Sequence, residues 1–303
     1  MLGVLALGLA SVVLWVGCGG GDGDDELSAG AADPDLVGLV APAKPHVRYV
    51  DVAGARAQLG LAPDEELDLA ANTEAPSSEQ LILSNVAYAL LVFAPDPRPG
   101  PIADAIDGAR VSAGASPNLV SADTVAAVRT GQPFAELAST LERYGYRRRG
   151  DIVASDSADV PGPFFPAVAD GGDGVIILAG SAEAADRAPN DRGVADGDAA
   201  SLLDEVGGVV RRVDVRKPQR GCVVSIAIGA DLDPALGEIV VTVAGEASEE
   251  AFVLDDTPPQ GVEFQEVDVE ASVVRADFTY RRDGSLAVGP TSVEFADREI
   301  YRC

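Results

Sequence analysis

The chain is 303 residues long, with a net charge of −27 and 47% apolar residues. That is enough apolar material for one large domain or two ordinary ones, so the chain need not be disordered. An acidic surface repels phosphate backbones and argues against a nucleic-acid partner; its direct effect is solubility through self-repulsion. Positive charge comes almost wholly from arginine, since Lys44 and Lys217 are the lysines.

Leu2 to Gly17 carry no charge. The run is short for a membrane-spanning helix, which wants about 20 apolar residues, and suits the apolar core of a signal peptide over 1–17. It ends in Trp15-Val16-Gly17-Cys18. This resembles the lipobox of bacterial lipoproteins, with Gly17 at the small position before the cleaved bond and Cys18 at the acylated position. The resemblance implies a diacylglycerol on the Cys18 sulfur, cleavage before it, and a protein held at the outer face of the cell membrane. The competing reading is a signal with an incidental cysteine. The resemblance covers only about the first 20 residues and implies nothing about the remainder. Residues 19–44 are rich in Gly and Asp near their start, and 18–44 is expected to be a flexible tether, reaching roughly 30 Å as a coil.

An α+β ectodomain is expected, with a mixed helix/strand part (45–195) and a mainly antiparallel β part (196–303). Val47 to Val52 alternates like a strand, and Ala53 to Leu61 suits a short helix. Ser77 with Gln80 opens a buried helix that stops at Pro95. Ile102 to Ala109 suits another helix and Thr124 to Thr130 a strand. From Pro133, Phe134, Leu137, Leu141 and Tyr144 recur at helical spacing up to Gly145. Tyr146 to Ser155 reads as one strand. Phe164 to Ala169 and Val175 to Ala179 read as two strands joined by the loop 170–174, and Ser181 caps a short helix with Glu183 in its first turn.

The polar stretch 186–200 marks the boundary between the two parts, and a short helix starts at Asp198 or Ser201. Strands follow at Val209 to Val215, Cys222 to Ile228, Ile239 to Val243, Val262 to Val269, Val273 to Tyr280, Leu286 to Val288 and Ser292 to Phe295. The apolar phase jumps by three between Phe264 and Val267, which predicts a β-bulge. A three-residue turn, Arg282 to Gly284, would pair Tyr280 with Leu286.

Cys222 and Cys303 are expected to form a disulfide that fastens the C-terminus in an oxidising compartment. It would close a loop of about 80 residues, worth ~4 kcal/mol on a chain-entropy argument. Two free thiols or a pair of metal ligands are the rival readings. His46, the single histidine, reads as an exposed residue at the edge of the tether. No serine-nucleophile, zinc or phosphate-loop motif accompanies it. Carboxylate pairs are uninformative in a chain so rich in them, and the Asp-rich loops 170–173 and 191–198 match no calcium spacing.

Arg147, Arg148 and Arg149 form the densest basic cluster. They suit a contact for an anionic ligand or partner, or else a helix dipole and neighbouring carboxylates. Taken together, these features favour a lipid-anchored, non-enzymatic envelope protein without a cofactor. It would bind or scaffold an unknown envelope protein or small ligand. A solute-binding lipoprotein of a transporter and an exported hydrolase are the alternatives.

Overall fold

The computed structural model describes residues 30–40, 46–58, 60–62, 101–117, 122–155, 165–189, 197–215, 221–232, 235–253, 262–280 and 300–303. The helix expected from Ser77, the turn 282–284 and the strands expected at 286–288 and 292–295 lie outside these residues.

The fold is mixed, and mostly antiparallel β-sheet. The strands are β1 (His46–Asp51), β2 (Val111–Pro117), β3 (Val125–Thr130), β4 (Arg147–Arg149), β5 (Ile152–Ala154), β6 (Ala167–Gly172), β7 (Val175–Ala179), β8 (Val210–Val215), β9 (Val223–Ala230), β10 (Leu236–Val243), β11 (Val262–Glu270) and β12 (Val273–Tyr280). They form one sheet, ordered β11-β12-β10-β9-β8-β1-β2-β3-β7-β6-β5-β4. All neighbours are antiparallel. The helices are α1 (Pro34–Val40), α2 (Val52–Gln58), α3 (Pro101–Ala105), α4 (Phe134–Arg143), α5 (Ala182–Arg187) and α6 (Gly197–Glu205).

The connectivity repeats about a seam where β1 meets β8. From the seam outward, β1-β2-β3 run consecutively on one side and β8-β9-β10 on the other. Each half then skips to the far edge and meanders back, through β4 to β7 or through β11 and β12. A helix precedes each seam strand, α1 before β1 and α6 before β8.

Around β1, β2, β3, β7 and β8 both faces of the sheet are covered, so its middle strands are buried on both sides. On the first face, α2, α3 and α4 bury Val52, Ala55, Ile102, Leu137 and Leu141 against Val50, Val128, Val168, Leu178 and Val210. On the second, α1, α5 and α6 bury Leu36, Ala185 and Leu203 among Val47, Ala127, Ile177 and Val213. A third cluster fills the first face of the other half, where Ile228, Ile239, Val241 and Phe278 meet Phe252, Ile300 and Tyr301. This double cover explains β1, whose four central residues are all buried although the sequence alternates.

Several expectations hold. The bulge lies between Phe264 and Glu266, opposite the consecutive pair Phe278 and Asp277, and Gln265 is the extra residue. It leaves Phe264 and Val267 on one face, both packed against the third cluster. α4 buries Phe134, Leu137, Ala138 and Leu141, and Gly145 takes φ +92° just after it. Ser181 caps α5, its Oγ accepting from the Ala184 N–H at 3.1 Å. Ser181→Ala is expected to cost about 1 kcal/mol, read as a lower unfolding midpoint in urea at unchanged slope.

Other expectations are corrected. Residues 30–40 are not tether. Asp33 accepts from the N–H groups of Asp35 and Leu36, Pro34 follows at the first helical position, and α1 buries Leu36, Val37, Leu39 and Val40. Four apolar side chains offset the ordering of so short a segment. Tyr146 to Ser155 is not one strand. Gly150 (φ +66°) turns the chain between β4 and β5. The loop expected at 170–174 shrinks to the turn Asp173-Gly174, both at positive φ, and β6 runs on to Gly172. Tyr144 leaves the apolar stripe of α4: it is 45% exposed, and its hydroxyl donates to Asp104 at 2.7 Å.

Candidate functional site

The unusual chemistry lies at the seam. Antiparallel pairing sets Arg48 of β1 opposite Arg212 of β8, and Tyr49 opposite Arg211. Directly opposed residues share a face, and successive residues alternate, so the two rows point to opposite sides of the sheet. Each row has its own chemistry.

On the second face, Arg211 is 2% exposed and anchored to carbonyls. Its Nε donates to Gly208 O at 2.7 Å, and Nη1 to Leu203 O at 3.4 Å. Nη2 donates to Gly30 O, just before α1. Its guanidinium carbon lies 6.0 Å from the centre of the Tyr49 ring, and Nη1 is 3.8 Å from Asp204 Oδ1. The same Asp204 oxygen accepts from the Ala32 N–H at 3.0 Å. Arg129 of β3 holds the chain from the other side through Asp33. Burial pushes the Asp33 carboxyl up, but the Arg129 hydrogen bond and charge outweigh it, holding the group below the ordinary value. The work of this row is structural: it ties the entry of the chain to α6 and the sheet.

On the first face, Arg48 and Arg212 are 6% and 3% exposed. Burial, and then the Arg212 charge, pull the Arg48 guanidinium down to about 10. At neutral pH it is therefore still protonated. Ser116 of β2 stands opposite Arg48 on its other side, fully buried. Its Oγ has no hydrogen-bond partner among the described residues. One step along the same face, His46 stands opposite Asp214, with Nδ1 3.2 Å from Oδ1. His46 thus begins a sheet strand and faces a buried carboxylate, which corrects its reading as a tether residue. In the other direction along that face come Val50 and Val210, of the first cluster, and beside Arg212 lies Ile228, of the third. A strip of arginine, serine, histidine and aspartate thus separates two apolar cores.

The residues singled out from the sequence fall elsewhere. Cys18 lies outside the described residues. Cys222 and Cys303 come together at disulfide distance, with Cα atoms 5.5 Å apart. Arg147, Arg148 and Arg149 form β4, the exposed edge of the sheet. They do not make one patch. Arg148 lies over the Phe134 ring at 5.7 Å on the first face, and its two neighbours alternate to the second. Phe134 begins α4, so Arg148 sits at the wrong end of that helix to compensate its dipole.

The seam arginines were missed, although the sequence holds a signal. Val47 to Val52 and Val210 to Val215 are the same hexapeptide except at Tyr49 and Arg212. Each sets arginine between valines, where a strand buried on both faces has no exit to water. Among the described residues, no three His, Cys, Asp or Glu side chains are grouped to hold a metal ion, and no helix is long and apolar enough to cross a membrane.

No family model matches the sequence, and no curated protein is similar to it. A solved structure, "Structure of crystal form I of TP0453", is similar with 10% identity and a TM-score of 0.43, over 86% of this chain and 99% of that one. At that identity and score the likeness transfers no property.

Proposed function

We propose that the chain is an exported lipoprotein, acylated at Cys18 and held at the outer face of the cell membrane. Its folded part serves as a non-enzymatic module that binds a small ligand or scaffolds another envelope protein. The observation that carries the anchor is the uncharged run Leu2 to Gly17 ending at Gly17-Cys18. Two supports stand beside it. The pairing of Cys222 with Cys303 fits an oxidising compartment. The seam strip supports a binding role, since polar groups placed between two apolar cores cost stability. Within the module, 45–195 together with α1 acts as the α+β part and 196–303 as the β-rich part.

Two acyl chains anchor stably where one is marginal. Cys18→Ala is therefore expected to move the protein from the membrane fraction to the soluble extracytoplasmic fraction. Mass spectrometry of the N-terminal peptide from the native host should show Cys18 first and lipid-modified. An unmodified Cys18, or a leader still attached to a cytosolic product, would overturn the proposal.

A further inference from the structure

β11 is the last strand of the sheet, and among the described residues no strand pairs with its outer edge. It is 9 residues long, where β4 at the opposite end has 3. An open edge offers unpaired N–H and C=O groups to another chain, and proteins blunt it by shortness, bulges and charge. The bulge at Gln265 disrupts only the start of β11, which leaves the regular run Glu266 to Glu270. The two faces of that run differ. On the second face Glu266, Asp268 and Glu270 are exposed, with Glu263 before the bulge. Asp277 of β12 stands opposite Glu266, and burial, then the Asp268 charge, push its carboxyl above the ordinary value. Arg275 of β12, opposite Asp268, already reaches Glu238 at 3.2 Å and Glu205 at 3.7 Å. On the first face Val267 packs against the third core and Val269 is 36% exposed, so an apolar row runs out to the edge.

We infer that the edge of β11 from Glu266 to Glu270 takes an added strand from a partner protein, an extended segment that alternates basic and apolar residues. Main-chain hydrogen bonds to the open edge supply the affinity of such an addition, and alternate side chains supply the choice of partner. Successive residues of the incoming strand face the two sides of the sheet in step with those of β11. Its basic residues lie beside Glu266, Asp268 and Glu270. Its apolar residues lie beside Val267 and Val269 and extend the third core by one strand. A second copy of this chain fits worse, because β11 against β11 sets two acidic rows together in a protein of net charge −27. This deepens the scaffolding role proposed above and rests on that reading for the existence of a partner; the lipid at Cys18 does not enter.

The test is calorimetric titration of the purified full-length protein with a synthetic peptide as long as β11 that alternates arginine and valine. Binding is expected, and amide exchange should slow in residues 266–270 of the complex. The same peptide with glutamate in place of arginine should not bind. Nor should an arginine peptide whose ladder N–H groups are methylated, because its charge is kept and its main-chain donors are gone. Glu266→Lys with Asp268→Lys turns two attractive cross-strand pairs into repulsive ones and should weaken binding of the arginine peptide about tenfold. Both positions are exposed, so the double variant should keep the parent's unfolding midpoint. No binding of the arginine peptide overturns the inference. So does equal binding of its methylated form, or an affinity unchanged in the double variant, since either means general attraction to an acidic protein. Self-association of the protein that is lost in the double variant also overturns it, by assigning the edge to a second copy. Peptide capture by a protein whose Cys18 is unmodified would leave this edge standing and remove the anchor; a lipidated protein that ignores the peptide would do the reverse.

Discussion

Arg211→Met is expected to cost about 3–5 kcal/mol, and to free α1 before it frees the sheet. Methionine replaces the aliphatic stem well enough, so little packing is lost. What goes is the set of donors: the carbonyls of Gly208, Leu203 and Gly30 all lose the guanidinium that serves them. Each buried acceptor left unmet costs roughly 1–3 kcal/mol, partly relieved by relaxation. The loss is uneven. Gly208 and Leu203 belong to the end of α6 and the entry to β8, which retain other contacts. Gly30 belongs to a short segment held by the apolar face of α1 and by polar ties that include this bond, the Ala32–Asp204 bond and the pairs of Arg129 with Asp33 and Asp35. Hydrogen exchange should therefore rise first in residues 30–40 and only later in β1 and β8. Arg147→Ala, on the exposed edge, should stay within about 0.5 kcal/mol of the parent. Equal effects of the two substitutions would contradict the burial ascribed to Arg211.

The contrast between these two arginines shows what the sequence can and cannot reveal. Charge density pointed to Arg147, Arg148 and Arg149, because three in a row is visible without a fold. The buried arginines at positions 48, 211 and 212 stand singly or paired inside short valine-rich strands, and valine–arginine alternation reads as a half-exposed strand. Only the helices on both faces make that alternation misleading. The two copies of the hexapeptide also run antiparallel, and matching positions fall on opposite faces: Arg48 points to the first and Arg211 to the second. One local sequence thus supplies the Arg211 anchor on one side and the Arg48–Arg212 row on the other.

Where local chemistry decides, a few adjacent residues suffice. The bulge near Gln265, the cap at Ser181 and the end of α4 at Gly145 each follow from a few adjacent residues. β2 was not foreseen, because Val-Ser-Ala-Gly-Ala-Ser-Pro has little β propensity. Its small residues suit a strand under closely packed helices, and α1 and α2 both contact it. α1 was missed for the related reason that a seven-residue helix is held by what it packs on.

Breaking the Cys222–Cys303 link is expected to be the other large perturbation, at about 2–4 kcal/mol. The pair spans 81 residues. A cross-link of that span restricts the unfolded chain by ~4 kcal/mol, and native relaxation lowers the yield. The native contribution is local. Tyr301 bridges to Phe252, Val253 donates to Ile300 O at 3.0 Å, and Arg302 donates to Ala251 O at 2.8 Å. The Tyr301 hydroxyl accepts from the Ser248 N–H at 2.9 Å. Through these contacts the last residues close the third core over Phe252 and Phe278. Without the link, the tail frays and that core opens at its edge. Cys303→Ser and Cys222→Ser should lower the urea midpoint equally, and the double variant should be no worse than either. That non-additivity is the signature of one shared bond. Reductant should shift the parent to the same midpoint and leave all three variants unmoved. Additive losses, or a parent indifferent to reductant, would mean that the two cysteines act separately, and would remove one support for an oxidising compartment.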